Sequence, residues 1–291
     1  MRLARRSITL FVGGIFFLGV ITFLIRNHEG SCRFTAFDVG QGDSLFFETP
    51  SGKQMLIDGG PDDVVLSKLG HVMPFFDRSL DVVVLTHPDA DHVTGLVEVA
   101  RRFRIGLFVM TGVVKNTPAY VVLQKELADR NVPIQYAQSG VLLTLDADAS
   151  FSILLPMQNW RGKKPKDVND TSVVGKYVCR TLSVLATDDM EEPYERELLR
   201  TSSDIHADIL KVGHHGSKTS SSEALLDRVH PKVAVISVGK DNKFGHPNEE
   251  VLDRLARRSI VIYRTDQLTD IVVQDKGESF RVTHGLGFRL W

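Results

Sequence analysis

The stretch LTHPDADH, residues 85–92, decides the fold, because it places two histidines and two aspartates within six positions directly after an apolar run. The run DVVVLT, residues 81–86, is typical of a buried strand, and HVTGLVEVARRF, residues 92–103, has the spacing of an amphipathic helix. A lone aspartate or histidine at a helix start is commonly a cap. Four at this spacing instead predict a metal site, since imidazole and carboxylate together bind Zn, Mn or Fe. The four residues are His87, Asp89, Asp91 and His92.

Three further segments carry polar residues where an apolar strand ends. They are SVLATDDM at residues 183–190, LKVGHHGSKTS at residues 210–220 and GKDNKFGHPNEE at residues 239–250. Each repeats the strand-to-loop pattern of the first segment, so all four can reach one cleft. Together they contain the ligand set of a dinuclear hydrolase.

Apolar runs bounded by turn residues predict strands in both halves of the chain, with amphipathic helices between them. Two halves, each a sheet backed by helices, predict an α/β protein of four layers, α/β/β/α, whose loops converge on one rim. The later helices are predicted to begin near Ser221 and Pro247. The polar segment QNWRGKKPKDVND, residues 158–170, is predicted to be a surface loop near the site or a solvated connection.

The segments occur in a recognisable order: FDVGQGDSLFFETPSGKQMLIDGG, VVVLTHPDADHVTGL, NDTSVV, ATDDM, ADILKVGHHGSKTSSSEAL and VAVISVGKDNKFGHPNEEVLDRL. This order resembles the metallo-β-lactamase-fold domain of ComEC-type competence proteins and their stand-alone relatives, over nearly the whole chain after residue 31. The HHGSKTS and GHP segments are specific to that branch. The resemblance implies a metallo-β-lactamase sandwich, metal-dependent hydrolysis, and an aspartate at position 89 where related dizinc enzymes have histidine.

The resemblance further implies two divalent metal ions, Zn²⁺ or Mn²⁺, at unequal positions. Between His92 and His206 the chain contains no histidine, so the third histidine of a His-His-His zinc position is missing. The first position keeps His87 and Asp89, with help from Asn169 or the aspartate after it. Such an oxygen-rich position favours harder ions such as Mn²⁺ or Mg²⁺, or binds more weakly.

The second position retains its ligands, which are Asp91, His92, His215 and a bridging Asp189. Asp188 stands where relatives usually have glycine, so which aspartate bridges stays open. Related esterases of the fold imply that His215 binds metal and His214 contacts the substrate, and the opposite assignment also stays open. Asp58, in LIDGG, is predicted to hold a ligand histidine in one tautomer.

Catalysis is assigned to Asp91, His214 and His246. Two metals a few ångströms apart can hold a hydroxide between them and clamp both oxygens of a phosphodiester displacement. His214 and His246 are candidates to orient phosphate or to protonate the leaving alkoxide. An alternative for His246, which precedes Pro247, is a helix cap.

Substrate binding is assigned to Ser217, Lys218 and Asn169. The first two offer a hydroxyl and a cation, and the helix opening at SSSEALL can add free backbone amides. For Ser220 and Glu223 within that segment, a capping box is the favoured interpretation.

Residues 1–30 are predicted to be a signal anchor. Three arginines precede an apolar run from Ile8 to Ile25, which is about long enough to cross a bilayer as one helix. No cleavage pattern follows the run, so a retained transmembrane segment is favoured over a cleaved signal peptide. The arginine distribution places the hydrolase domain, residues 31–291, outside the cytoplasm, in a bacterial periplasm or at the cell surface, or secreted if the segment is cleaved.

The soluble part is acidic. Residues 1–30 hold four arginines and one glutamate, so 31 basic and 35 acidic residues remain, a formal charge of −4. A sequence-independent nucleic-acid binder usually has the opposite sign, although local basic patches remain compatible with it. Cys32 and Cys179 are the only cysteines, and an exported location permits them to pair, with two separate buried thiols as the alternative.

These features predict a metal-dependent hydrolase of phosphodiesters attached to a membrane by its N-terminal helix. Its substrate is DNA, or a smaller phosphoester such as a teichoic-acid or nucleotide derivative. The alternative from another class is a non-catalytic domain that binds metal and a partner, such as a competence-type membrane channel. A β-lactam hydrolase ranks well below, because the third histidine is missing.

Overall fold

The computed structural model describes residues 30–285 of the chain. Its strands are β1 Arg33–Ala36, β2 Leu45–Glu48, β3 Gln54–Ile57, β4 Ser79–Val84, β5 Arg104–Met110, β6 Ile134–Tyr136, β7 Leu142–Asp146, β8 Ala149–Leu155, β9 Val174–Cys179, β10 Leu182–Ala186, β11 Ile209–Lys211, β12 Val233–Ile236, β13 Val261–Arg264, β14 Ile271–Asp275 and β15 Phe280–His284. Its helices are α1 Val64–Val72, α2 Ala90–Arg102, α3 Pro118–Asp129, α4 Glu192–Leu199, α5 Glu223–Val229, α6 Glu249–Ala256 and α7 Thr265–Leu268, with 3-10 turns at Asn169–Thr171 and Gly213–Gly216.

The strands form two sheets. One has the order β15-β14-β1-β2-β3-β4-β5-β6, and the other has the order β13-β12-β11-β10-β9-β8-β7. In the first sheet β3 to β6 are parallel, and in the second β10 to β13 are parallel. Parallel strands deliver their carboxyl ends to the same edge of a sheet, which is where open α/β sheets carry ligands.

Three apolar clusters separate four layers. One lies between the sheets, one lies between the first sheet and helices α1 to α3, and one lies between the second sheet and helices α4 to α6. The layers form because the strands are apolar on both faces. In β2, for example, Leu45 and Phe47 lie in the cluster between the sheets, and Phe46 lies in the cluster between the first sheet and its helices. A strand buried on both faces reads as a continuous apolar run. The predicted four-layer α/β/β/α sandwich is confirmed.

Three glycines bring other backbone against the first turns of α2. A Cβ atom at Gly95 would lie 1.9 Å from the Gly59 carbonyl oxygen, and one at Gly42 would lie 2.2 Å from the Asp91 carbonyl oxygen. Gly42 also has φ +139°, a conformation that L side chains rarely adopt. These close approaches fix the start of α2, and with it Asp91 and His92.

Cys32, directly before β1, and Cys179, at the end of β9, form a disulfide. Both lie in the apolar cluster between the sheets, so the bond joins the first sheet to the second. Of the two alternatives for these cysteines, the structure has the paired one.

Helices α5 and α6 begin within two residues of their predicted starts, near Ser221 and Pro247. Helix α5 begins after Ser222, whose side chain is the N-cap, so the capping box predicted for Ser220 and Glu223 does not form. Helix α6 has Asn248 as its N-cap. His246 lies two residues before that cap, which excludes the capping alternative for this histidine.

The predicted anchor lies, apart from Gly30, outside the described residues. Between residues 30 and 285 the structure contains no helix long and apolar enough to cross a bilayer.

Candidate metal centre

Four loops meet at the rim formed by the carboxyl ends of β4, β10, β11 and β12, which we call the site rim. His87 follows β4 of the first sheet, Asp189 follows β10, His215 follows β11, and His246 lies in the loop after β12. Packing of the two sheets brings side chains from both halves of the chain within 4 Å of one another. The site therefore depends on the complete sandwich.

Three buried imidazoles present Nε2 to one carboxylate. Asp189 has a carboxylate oxygen 3.9 Å from Nε2 of His87, 3.5 Å from that of His92 and 3.6 Å from that of His215. Within residues 30–285 none of these Nε2 atoms has a hydrogen-bond partner. Two atoms bound to one tetrahedral ion at about 2.1 Å stand about 3.4 Å apart. The spacing fits ligands of a shared metal better than it fits hydrogen bonds.

Asp91 and Asp89 lie on two sides of this cluster. Asp91 Oδ2 is 3.6 Å from His215 Nε2 and 3.9 Å from His92 Nε2, and Asp89 Oδ2 is 3.7 Å from His87 Nε2. The arrangement brings together the residues predicted for each of two metal positions, with the shared aspartate between them. The donor set of imidazoles and carboxylates suits Zn²⁺ or Mn²⁺.

The other nitrogen of each imidazole has a partner that orients the ring. These Nδ1 contacts are His87 to Asp188 Oδ2 at 2.9 Å, His92 to Asp58 Oδ2 at 2.9 Å and His215 to the Ser237 carbonyl at 3.0 Å. Asp58 has no exposed surface, and it also accepts from the backbone N–H and hydroxyl of Thr86. Asp58 therefore contacts a candidate ligand histidine, as the sequence predicts. Partners of this kind fix the tautomer and raise ligand basicity.

The two adjacent aspartates face different sides of the imidazoles. Asp188 lies behind the rings, 2.9 Å from His87 Nδ1 and 3.3 Å from His92 Nδ1. Asp189 lies in front of them, on the Nε2 side. The geometry thus favours Asp189 as the bridging carboxylate, and it makes Asp188 a second orienting residue that the sequence did not predict.

The carboxylates hold protons on the imidazoles when no metal is bound. Burial alone would lower the pKa of His92, but the charges of Asp189 and Asp188 outweigh burial and raise it well above its ordinary value. Burial alone would raise the pKa of Asp91, but contact with His215 and the charge of His92 lower it to about 2. A metal ion that binds here must displace protons from nitrogen, not from carboxylate.

The adjacent histidines after β11 have different surroundings. Both have left-handed backbone conformations, with φ +46° at His214 and +53° at His215, which non-glycine residues seldom adopt and which often mark functional sites. His215 is buried against Asp189 and Asp91, whereas the His214 side chain is one-quarter exposed. The geometry favours His215 as the ligand and leaves His214 at the mouth of the site.

His214 connects the candidate centre to two residues outside it. Its Nδ1 lies 3.0 Å from Glu191 Oε1 and its Nε2 lies 3.8 Å from Asp189 Oδ2. The His246 ring centroid is 5.8 Å from that of His214. Burial, and then the charge of His214, lower the pKa of His246, so His246 is a neutral imidazole at neutral pH. Glu191 carried no sequence signal, because its partner follows a different strand.

Lys115 forms an ion pair with Asp89. This lysine belongs to the loop between β5 and α3, and the sequence did not predict it. Because it neutralises a carboxylate predicted for the first metal position, a cation that binds there has to compete with it. Asn169, the proposed helper of that position, lines a neighbouring cavity of about 250 Å³ that also includes Met190 and Tyr194, and within residues 30–285 its buried Oδ1 has no hydrogen-bond partner.

A buried ion pair lies beneath the centre. Lys211 is fully buried, and its Nζ lies 2.7 Å from Oδ2 of Asp43, which is almost fully buried too. Asp43 Oδ1 lies 3.7 Å from His215 Nδ1. Asp43 closes the DVGQGD segment, so this segment contributes a charge to the site as well as a tight turn.

Two predicted substrate contacts are not brought to the cluster. Lys218 is exposed and lines a cleft between α5 and α6 with Glu250 and Arg254. The amides at the start of α5 are not free, because Ser221 and Ser222 donate their N–H groups to the buried carboxylate of Glu195. Free amides were predicted there because nothing local in the sequence reveals an acceptor from α4.

Ser217 is closer to the centre, two residues after His215, and is nearly buried. Its hydroxyl is paired with that of Thr219 at 2.9 Å. Thr219 also donates to Glu191, so these hydroxyls support the carboxylate that holds His214.

Sandwich and site together define the class of this protein. The chain belongs to the metallo-beta-lactamase superfamily, whose family model matches residues 37–240. The fold is that of metal-dependent hydrolases, and the His/Asp clusters described above are candidate ligand groups within it.

The relatives include competence proteins of the ComEC family, which confirms the resemblance seen in the sequence. The chain is 34% identical over 248 residues to ComE operon protein 3 of Bacillus subtilis (strain 168), covering 79% of this chain and 31% of that protein. It is 30% identical over 243 residues to competence protein ComA of Neisseria gonorrhoeae, covering 82% and 31%. The chain thus spans about a third of the length of these relatives.

Solved structures agree on the fold. The metallo-beta-lactamase fold protein YhfI of Bacillus subtilis is 13% identical, with a TM-score of 0.53 over 84% of this chain and 100% of that one. A putative metal-dependent hydrolase of Parabacteroides distasonis is 14% identical, with a TM-score of 0.50 over 81% and 94%. At this identity the likeness concerns the fold alone.

Proposed function

We propose that this chain hydrolyses phosphodiesters of nucleic-acid strands with two divalent metal ions, Mn²⁺ or Zn²⁺. The observation that carries the proposal is the set of three buried, unpartnered Nε2 atoms around Asp189 at ligand-to-ligand distances. When bound, two such ions lower the pKa of water and neutralise the charge that develops on a phosphodiester.

His214 is placed to move the proton. Its Nε2 faces the cluster from the partly exposed side, and Glu191 holds its Nδ1. A carboxylate on Nδ1 keeps an imidazole in one tautomer and stabilises its imidazolium form. His214 can therefore donate a proton from Nε2 to the leaving oxygen, while the neutral His246 beside it contacts the phosphate.

A basic loop near the site favours a polyanionic substrate. This loop, residues 160–166, has the sequence WRGKKPK, and its four cations have no carboxylate partner within residues 30–285. It is held on the loop that carries Lys115, because Gly162 donates to the Gly112 carbonyl and Val114 donates to the Lys163 carbonyl. The unpaired cations thus lie beside the Asp89 end of the site. In a domain with net negative charge, this local concentration suits phosphates of a strand.

Phe244, near the other end of the site, favours a substrate with unpaired bases. Its ring is 57% exposed and lies 5.8 Å from the His246 ring at an interplanar angle of 26°. An exposed ring beside the cluster offers a face on which a nucleobase can stack, which contributes about 1–3 kcal/mol in single-strand binding proteins. The relatives' names, which include competence proteins, favour DNA as the strand.

The test uses the full chain in detergent, with Mn²⁺ or Zn²⁺, on three substrates: a labelled single-stranded oligonucleotide, its duplex, and bis-p-nitrophenyl phosphate. We expect cleavage of the strand that disappears in Asp91→Ala. Lys163→Glu combined with Lys164→Glu should raise KM for the strand and leave the small ester unaffected. Cleavage of the small ester alone would reject the nucleic-acid substrate and keep the phosphodiesterase.

A binding module is the second candidate function, and the ion pair between Lys115 and Asp89 favours it. If that pair persists, only the second position binds metal, and the site holds a ligand without turnover. One tightly bound metal per chain together with no cleavage of any of the three esters would establish this alternative.

A further inference from the structure

The rim opposite the metal centre carries two exposed phenylalanines. We call it the far rim, and it is formed by the amino ends of β3, β4 and β5. Phe75 and Phe76, in the loop between α1 and β4, are 85% and 88% exposed, more than any other large apolar side chain within residues 30–285. Two adjacent aromatic side chains left in water indicate a contact surface.

The loop that presents them is ordered by its neighbours. Asp77 accepts from the backbone N–H and hydroxyl of Ser79 at 3.0 and 2.7 Å, and from the Gln54 amide at 3.2 Å. The Arg78 guanidinium lies 5.9 Å from the Phe75 ring centroid. The turn that exposes the two rings is therefore ordered by hydrogen bonds.

Unpaired arginines lie beside the rings. Arg104 donates its backbone N–H to the Arg78 carbonyl at 2.8 Å. Within the described part of the chain neither guanidinium has a carboxylate within ion-pair distance, whereas the nearby Lys53 is paired with Asp81. Apolar tips flanked by cations that have no carboxylate partner are typical of segments that lie in the interface of an anionic bilayer.

The chain enters the domain at the same rim. Strand register pairs Arg33 with Glu48 and Glu48 with Gln54, which places all three at the far rim. Gly30, the first described residue, packs against the backbone of Pro50 in the turn between β2 and β3. The 18-residue apolar run from Ile8 to Ile25 precedes it by only a few residues.

We propose that the far rim rests on a lipid bilayer, with Phe75 and Phe76 inserted about 5–10 Å into the boundary between headgroups and acyl chains. Arg78 and Arg104 bind anionic headgroups. Eight residues separate the start of β4 from His87, which corresponds to roughly 25 Å along a strand. The metal centre then opens away from the membrane, toward a substrate that arrives from solution.

The test introduces a tryptophan by Phe76→Trp in the full chain, reconstituted in vesicles of phosphatidylcholine and phosphatidylglycerol with or without brominated acyl chains. Phe244→Trp, on the site rim, is the matched control, and the unsubstituted chain supplies the background of Trp160 and Trp291. We expect brominated lipid to quench the emission added at position 76 and not the emission added at position 244. Quenching should weaken when phosphatidylglycerol is omitted or when Arg78→Gln and Arg104→Gln are added.

Three results would overturn the proposal. Unquenched, blue-shifted emission at position 76 would mean that residues 1–29 or a second copy of the chain covers the ring. Unquenched, red-shifted emission would mean that the ring faces water. Equal quenching at positions 76 and 244 would mean that the domain has no fixed orientation. None of these readouts depends on hydrolytic activity.

Discussion

Lys211→Met leaves Asp43 as a buried charge without its partner. The lysine is fully buried, with Nζ 2.7 Å from Asp43 Oδ2 and 2.9 Å from the Val212 carbonyl. Methionine is unbranched and fills most of the same space, so the main loss is the ion pair. Breaking a buried pair by removing one partner costs about 3–5 kcal/mol. That is a large fraction of the roughly 5–15 kcal/mol that stabilises a domain.

The assay is urea unfolding followed by circular dichroism, with chelator present so that metal binding does not contribute. With a slope of about 2 kcal/mol per molar urea, the midpoint should fall by about 2 M. The matched variant Lys211→Met with Asp43→Asn removes both charges and should recover most of the loss. A single variant within about 1 kcal/mol of the natural chain, or a double variant no more stable than the single one, would refute the reasoning.

Three further outcomes follow from the site. Asp58→Asn removes the charge behind His92, so metal affinity should fall about 10- to 100-fold while the circular dichroism spectrum stays unchanged; unchanged affinity in calorimetry would contradict this role. Lys115→Ala frees Asp89, so the number of metals retained after dialysis should rise; an unchanged count would show that the lysine does not compete. Burial lowers the pKa values of the three buried imidazoles, but the neighbouring aspartates outweigh burial and raise them, so metal must displace protons. Metal affinity measured by competition with a chelating dye should fall as pH decreases, about tenfold per pH unit for each displaced proton. In the metal-free chain the protonated imidazoles stabilise the fold, and this stabilisation is lost as pH rises through their raised pKa values. An affinity that stays flat between about pH 8 and 6 would exclude displaced protons.

Much of the site could be predicted because its ligands follow strand ends. The spacing of His87, Asp89, Asp91 and His92 already implies a strand, a turn and a helix start, and the parallel strands bring Asp189 and His215 to the same rim. The four layers follow from strands that are apolar on both faces. These patterns involve residues that are close in the sequence, so they can be recognised without knowledge of the tertiary structure.

The residues that were missed meet their partners only in the folded chain. Lys115 reaches Asp89 from the next loop, and Lys211 reaches Asp43 from the other sheet, so neither pair has a local sequence signal. The roles of Asp188 and Asp189 depend on which way each side chain turns at the end of β10. The amides before α5 were wrongly expected to be free, because Glu195 approaches them from another helix.

The most direct test of the dinuclear centre substitutes the shared carboxylate. Metals per chain are counted by elemental analysis in the same samples that are assayed on bis-p-nitrophenyl phosphate, for the natural chain and for Asp189→Asn. We predict two metals in the natural chain, at most one in the variant, and a rate loss of more than about 100-fold, since even residues that only orient ligands contribute about 10- to 100-fold. Full turnover by an Asp189→Asn chain that retains both metals would contradict the account.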